Sequence, residues 1–517
     1  MSPLTTRLKS VSEENYGVKT VAMKRNSYAA IALFLGLLSS QIIATIQVYL
    51  SNAHLYRSVA VVLESGYLPI PNQLIMSRLQ DVGPAFFGGI FFTVTVGAGI
   101  SILTLGMVWT WDRLFNRGKI ILGVFLLFWL VCLAGVNMTG FYPIVTSYFI
   151  VIPAVVSLAA LKLMPAETAQ RVWLHRAILF LPVVILALLW TSIMDKNLFG
   201  DIRDNILLST PVGIKINDFY YDYTLYPAEV FKTLDQKSLK TCNLTSVKTA
   251  SLSTSLERTL LTYDYLTVGT YEDADLKIVE EGNVLIFKNR DRIILRTTAK
   301  DFFPRPKSML KEFSFKTDGH AFFRQFTALS ILLGFPLALY IIVYALLFLA
   351  GTLYYDVRKA AFIASIFCLI IGIAFVVPMY FAKGQEIDRK NVATAMKSHQ
   401  WQERVASLKV IDREKLEITS FPGHRTMLSS HNIPERYWLA RAFGVSRRPE
   451  TYGDLLKLLD DPQPTVACKA FEALGRRGNR RAIPEILQRL KSSDHWYKQL
   501  YAYKALRTLG WKQARSM

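Results

Sequence analysis

Seven stretches of this chain are apolar over roughly the length a helix needs to cross a bilayer: 27–50, 84–111, 120–137, 143–161, 177–194, 326–353 and 360–382. Crossing the hydrocarbon takes about 20 such residues, and backbone groups in lipid have only one another to bond, so each stretch is expected to be a helix. The expected fold class is therefore a polytopic α-helical membrane protein with about seven transmembrane helices. The composition agrees, with 52% hydrophobic and 19% charged residues in 517, outside the range of ordinary soluble domains. The first run, Ser27 to Leu50, is longer than a signal-peptide core and lacks a small-residue cleavage site behind it, so it reads as a retained anchor of an inner-membrane, multi-pass chain.

Orientation follows from the short connections, because Lys and Arg near helix ends stay on the cytoplasmic side. Residues 1–26 carry Arg7, Lys9, Lys19, Lys24 and Arg25; 112–119 carry Arg113, Arg117 and Lys119; 162–176 carry Lys162, Arg171 and Arg176; and 354–359 carry Arg358 and Lys359. The opposing loops 51–83 and 138–142 carry only Arg57 and Arg78. The N-terminal segment 1–26 is expected in the cytoplasm. The insert 195–325 and everything after the hairpin 326–382 are expected outside it. A five-helix membrane region then occupies 27–194.

The interiors of the seven stretches contain no Asp, Glu, Lys, Arg or His, which argues against ion-coupled transport, since such paths are marked by ionisable groups. Gly89, Thr93, Gly97 and Ser101 recur every fourth position and place small residues on one helical stripe. The stripe suits close packing within the bundle, or contact with another membrane subunit. Pro336 is expected to distort the sixth segment.

Between the spans, 195–325 turns polar and β-prone and reads as a small extracytoplasmic α+β domain with an antiparallel meander. "GIKINDFYYDYTLY" (213–226) alternates as a half-buried strand would, "AEVFKTLDQKSLKTC" as a short helix, and 275–298 as three strands with turns at Gly282 and Arg290. The tyrosines of 219–226 read as core, or as a sugar- or partner-binding face. Neither a phosphate-cradling glycine loop nor a nucleophile elbow occurs here.

The tail repeats itself. Setting 438–461 over 469–492 at an offset of 31 brings Ala442 onto Ala473, Gly444 onto Gly475, Leu455 onto Ile486 and Leu459 onto Leu490, and "AYKAL" from Ala502 repeats "AFEAL" of 470–474. Two amphipathic helices per unit with small residues at their contact is what stacked helical hairpins require. Within a repeat domain at 434–517, after a linker and helical lead-in at 383–433, residues from about 434 to 511 resemble HEAT repeats, in the short variant of phycobilisome-lyase-like proteins. The resemblance implies a C-terminal α-solenoid that binds partners, and no lyase chemistry.

Residues 383–517 hold 26 Lys and Arg against 14 Asp and Glu. Arg447 and Arg448 in one unit, with Arg476, Arg477, Arg480 and Arg481 in the next, gather at hairpin turns and suggest a positive ridge. A ridge of that sign suits an acidic protein surface or anionic lipid headgroups; nucleic acid is not expected outside the cytoplasm. His424 and His431 match no zinc spacing, and no metal or cofactor is expected. Glu64, Asp81, Arg57 and Arg78 of the outer loop sit where a membrane-surface active site would lie, or form interfacial ion pairs. Cys242 and Cys468, on one side, are either paired or separate thiols. The leading expectation is a non-enzymatic membrane subunit, a scaffold or assembly factor of a cell-envelope complex, contacting membrane lipids and holding a protein partner through its repeats. A component of a lipid, polysaccharide or protein translocation system, and a membrane-embedded transferase, are the alternatives.

Overall fold

The computed structural model describes the backbone of residues 3–164, 172–195, 197–383 and 387–515, and side chains within 27–164, 181–195, 197–380 and 387–515. Arg7, Lys9, Lys19, Lys24, Arg25, Arg171, Arg176 and His175 lie outside the described side chains. The helices are α1 (Pro3–Glu64), α2 (Val82–Arg113), α3 (Lys119–Val136), α4 (Pro143–Leu163), α5 (Val172–Ile193), α6 (Pro211–Tyr223), α7 (Leu225–Phe231), α8 (Ala250–Leu261) and α9 (Pro306–Lys316). They continue as α10 (Ala321–Gly351), α11 (Val357–Lys383), α12 (Trp401–Glu414), α13 (Ile433–Phe443), α14 (Pro449–Leu458), α15 (Pro464–Arg477), α16 (Ile483–Ser492) and α17 (Trp496–Thr508). The strands are β1 (Lys240–Ser246), β2 (Tyr265–Thr267), β3 (Leu276–Glu281), β4 (Val284–Asn289) and β5 (Arg292–Thr298).

Among the described residues, six helices are long and apolar enough to cross a membrane, or up to seven if Leu181–Ile193 and Leu198–Leu207 form one broken span. Contacts divide the chain into two units: Met1–Gln47, Gly89–Leu198 and Gly319–Tyr380 in the first, and Val48–Gly88, Phe199–Asp318 and Phe381–Met517 in the second.

In the first unit, α2 packs through glycine. A Cβ at Gly89 would stand 3.1 Å from the Thr45 backbone nitrogen of α1, and one at Gly97 would overlap Ser40, so both positions require the smallest residue. On another side, a Cβ at Gly334 of α10 would lie 2.7 Å from the Gly99 Cα. Both contact regions contain a π-helical turn, Thr93–Gly97 and Ser330–Gly334. The distortion expected at Pro336 takes this form, in the turn just before the proline, where the ring cannot supply an N–H to the ladder. Outward faces are apolar: Leu126, Leu127, Leu130 and Val131 of α3 are each at least 56% exposed. A soluble surface rarely carries so continuous a patch.

The second unit corrects several sequence expectations. The helix α1 runs on past Leu50 to Glu64 before Gly66 turns it at φ 80°, so the first part of 51–83 is helix rather than loop. Val62 is buried there with Tyr67, Leu266 and Val268. The stretch 213–226 is helical, not a strand. Thr210 caps it by accepting from Gly213 N, Pro211 opens α6, and Gly213 and Asn217 share a buried face. Tertiary packing here overrides the aromatic β-preference. The short helix expected from 228 ends at Phe231, and Lys240–Cys242 belong to β1. The three strands of 275–298 do form an antiparallel β3-β4-β5 meander, but the whole sheet runs β2-β1-β3-β4-β5, with β1 parallel to both β2 and β3. The parallel pair is joined through α8, a β-α-β connection. Leu256 and Leu260 of α8 and Met309, Leu310 and Phe313 of α9 bury one core with Cys242, Leu276, Ile278 and Phe287.

The repeats stack as α12 on α13, α13 on α15 and α15 on α17, with α14 and α16 as second helices. Proline opens each of α13, α14, α15 and α16, where its missing N–H costs nothing and its fixed φ favours a start. A Cβ at Gly444 would lie 3.1 Å from Ala473 Cα, and one at Gly475 3.2 Å from Ala505 Cα. The 31-residue period is thus written in the contact between successive first helices. An ionic ladder accompanies it: Arg404 pairs with Glu435, Arg441 with Asp412 at 2.7 Å, Arg436 with Asp461 at 2.7 Å, and Arg489 with Asp460 at 2.7 Å. Part of the stretch read as lead-in, α12, stacks like a repeat helix.

Candidate functional site

The cationic turns of the solenoid separate into two kinds of arginine. Arg476 pairs with Asp412 at 2.6 Å and with Glu472 at 3.2 Å. Arg477 is half-buried and donates to the carbonyls of Phe443 (3.2 Å) and Arg448 (2.9 Å) and to Thr451 Oγ1 (2.8 Å). Both therefore serve the stacking of one repeat on the last, and the ridge expected from sequence is correspondingly smaller. Arg447, Arg448, Arg480 and Arg481 are exposed, and among the described residues no ion pair engages their side chains. Arg448 stands at the N-cap of α14, and Arg480–Ala482 form the turn that opens into α16. Their charge adds to the partial positive charge of two helix starts.

The backbone beneath these side chains is fixed. Glu417 accepts from Ser446 Oγ at 2.5 Å and from Arg447 N at 3.0 Å. Burial alone would raise its carboxyl, but these donors, with Arg448, hold it below the usual range.

The face made by the first helices is occupied by the chain itself. Asp204, 2% exposed, accepts from Arg203 Nε at 2.8 Å and from the Trp438 indole N–H at 2.9 Å, and lies 3.1 Å from Lys409 Nζ. The Arg203 guanidinium stacks 3.8 Å over the Tyr437 ring. Asn217 donates to Thr465 Oγ1 at 2.9 Å, Tyr221 packs on Tyr497 at 4.8 Å, and Tyr226 meets Trp496 edge-on at 5.0 Å. The segment 203–226 thus crosses α12, α13, α15 and α17 in order. Of the tyrosines at 219–226, Tyr220, stacked on Tyr497 at 6.1 Å, Tyr221 and Tyr226 serve this internal contact.

A second polar centre lies in a cleft of about 70 Å³ lined by Ser51, His54, Lys237, Thr241, Asp275 and Trp496, among others. Lys237 Nζ donates to Asp275 Oδ1 at 2.8 Å, and Thr241 N to Oδ2 at 3.0 Å. Burial alone would raise the Asp275 carboxyl and lower the Lys237 ammonium. Their mutual attraction outweighs it, so Asp275 is lowered and Lys237 raised. Each charge in this pair is already satisfied, so the pair ties the sheet together within the second unit.

The small-residue stripe Gly89, Thr93, Gly97 and Ser101 faces α1: Thr93 Oγ1 donates to Gln41 Oε1 at 2.7 Å, and a Cβ at Gly36 would overlap Ser101. His424 Nδ1 lies 3.0 Å from the Phe421 carbonyl, His431 is exposed, and no cluster of three or more His, Cys, Asp or Glu fit for a metal occurs among the described residues. Arg57, Glu64, Arg78 and Asp81 are all exposed. Cys242 and Cys468 are both free and buried, which corrects the pairing alternative: Cys242 sits in the apolar core of the sheet, and Cys468 is enclosed within α15 of the repeats.

Asp204, Asn72, Lys237 and Asp275 escaped the sequence reading. Apart from Arg203, which adjoins Asp204, their partners lie from about 30 to more than 400 residues away along the chain, and only their placement as polar residues among aromatic or apolar neighbours distinguishes them.

Residues 425–507 match the family of HEAT repeats. No curated protein and no solved structure matches the chain.

Proposed function

We propose that this chain is a membrane-anchored adaptor, a non-enzymatic scaffold or assembly subunit of a cell-envelope complex that holds a protein partner on the cationic edge of its HEAT repeats. HEAT repeats generally mediate protein–protein interaction. One observation carries the reading: segment 203–226 takes up the first-helix face, while Arg447, Arg448, Arg480 and Arg481 stand exposed at the starts of the second helices. An acidic protein surface fits four exposed guanidinium groups.

The membrane arrangement is supported by parity. Residues 48–88 begin within the last turns of α1, 199–318 follow α5 and 381–517 begin at the end of α11, and these three stretches form one contact unit. They share a side only if α5 crosses, which makes seven crossings and sets the repeats opposite the N-terminus. The loop cations put the N-terminus in the cytoplasm and the repeats outside the cell membrane.

The test is co-purification of the full chain from native membranes in mild detergent, beside a variant with Arg447, Arg448, Arg480 and Arg481 all replaced by Gln. A protein partner retained stoichiometrically by the unaltered chain at low salt, and lost from the variant, is the expected result. A lone chain, or equal retention by both, would overturn the proposal.

A further inference from the structure

The helix α6 carries three sectors. Gly213 and Asn217 point into the second unit. Lys215, Asp218 and Asp222 form a polar side. The third sector is apolar and faces out: Val212 is 70% exposed and Ile216 53%, and Tyr220, with one ring face stacked on Tyr497 at 6.1 Å, is still 47% exposed. Their spacing of four residues keeps them on one stripe, continued by Phe219 and Tyr223.

We infer that this stripe is a lipid-contacting surface that rests in the interfacial layer of the membrane, an inference that depends on the membrane reading above. What fixes the occupant is the neighbour. Phe87 of α2 packs against Phe219 at 6.2 Å and Tyr223 at 5.0 Å. A Cβ at Gly88 would stand 3.0 Å from Pro227 Cδ, so α6 and the start of α7 press directly on the second turn of α2.

The depth of that turn follows from length. Thirty-two residues of α2 span about 48 Å at about 1.5 Å each, against a hydrocarbon core of about 30 Å. With α2 close to the membrane normal, the excess lies in the headgroup layers. Phe87 is only about 8 Å along the axis from the helix start at Val82, within that excess. Val82 and Phe86 on the same turns are 62% and 44% exposed, and Phe199 is 60% exposed shortly after α5 ends. Tyrosine beside a lysine is a side-chain pair that an apolar-to-polar boundary favours. A helix held at that level, polar on one flank and apolar outward, has the form of an in-plane interfacial helix.

The experiment places a single exposed cysteine at Ile216, at Asp222 or at Leu126 of the full chain, leaving the four buried native cysteines in place. Each is labelled with an environment-sensitive fluorophore after reconstitution into vesicles containing lipids brominated near the headgroup or near the acyl end. Headgroup-proximal bromine should lower emission at Ile216 and leave Asp222 nearly unchanged, while Leu126 responds to deep bromine. Quenching at Ile216 no greater than at Asp222, with Leu126 quenched, overturns the interfacial helix alone. Ile216 shielded from both bromine and aqueous iodide would mean a second protein copy covers the stripe, and also overturns it. Loss of quenching at Leu126 as well would overturn the membrane reading itself.

Discussion

The backbone N–H of Asn72 donates to Gln499 Oε1 at 2.8 Å, and the Asn72 Nδ2 reaches the carbonyls of Leu490, Lys491 and Ser493 at 3.3, 3.1 and 2.9 Å. One side chain from the segment after α1 thus satisfies the carbonyls left over where α16 ends, groups that a helix cannot pair for itself. Beside it, Leu68 and Gln513 exchange two hydrogen bonds, Leu68 N to Oε1 at 3.1 Å and Nε2 to Leu68 O at 2.8 Å. The 48–88 stretch therefore completes the last repeat.

Replacing Asn72 with Ala removes the Asn72 donor from the Leu490 and Lys491 carbonyls, while Ser493 O keeps Gln499 Nε2 at 2.8 Å, at a cost of about 1–3 kcal/mol. Hydrogen exchange of the purified full chain should show faster exchange in 483–508, with the β3-β4-β5 meander unaffected. Unchanged protection of α16 would show that the carbonyls find other donors.

Lys237→Met strands the Asp275 carboxylate in its cleft, and breaking such a pair costs about 3 kcal/mol. The sign with pH is definite. Asp275 is lowered by folding, so its contribution is present above the ordinary carboxylate value of about 4 and is lost as pH falls through its lower folded value. Lys237 is raised, so its contribution is present below about 10.4 and is lost as pH rises through its higher folded value. Denaturation of the unaltered chain should show no change from this pair between about pH 5 and 9. In Lys237→Met the unpaired carboxyl takes up a proton on mild acidification, so the deficit relative to the unaltered chain should shrink from pH 7 to pH 5. A deficit that grows over that range would contradict the pairing.

Gly444→Val drives a branched side chain into Ala473, whose Cα a bare Cβ would already approach to 3.1 Å. Overpacking of this kind costs about 1–3 kcal/mol, and limited proteolysis should cut between α13 and α15 earlier than in the unaltered chain. Gly453, where a Cβ meets nothing within 4 Å, is the control: Gly453→Ala should be neutral or slightly stabilising.

The two kinds of arginine should separate cleanly. Arg477→Gln removes donors from Phe443 O, Thr451 and Arg448 O and should lower stability by about 1–2 kcal/mol. Arg480→Gln and Arg481→Gln should change it by no more than about 0.5 kcal/mol. Equal losses from all three would show that the edge serves stability.

The long apolar helices and the repeat period were legible because each is a local pattern: apolar length for the one, and Ala442/Ala473 and Gly444/Gly475 for the other. The meander at 276–298 was legible for the same reason, with Gly282 and Arg290 marking its turns at positive φ. What stayed hidden is non-local. The residues of "FYYDYTLY" prefer strands in isolation, and only docking of Asn217 on Thr465 and of Tyr221 on Tyr497 makes them a helix. Strand β2 is three residues long and exists because β1 pairs with it in parallel across α8, an arrangement with no turn signal to announce it. The arginine ridge was half legible, since sequence gives the charge at 476 and 477 but not the carboxylates and carbonyls that engage it.

The most direct measurement is sided labelling of intact cells with a membrane-impermeant maleimide, using single cysteines at Leu74, Lys300 and Arg480, one in each stretch of the second unit, and at Arg117. The first three positions should all label from outside and Arg117 only after permeabilisation. Arg480 or Lys300 labelling only after permeabilisation, while Leu74 labels from outside, would contradict one body gathered on one side of the membrane and the seven crossings that parity demands.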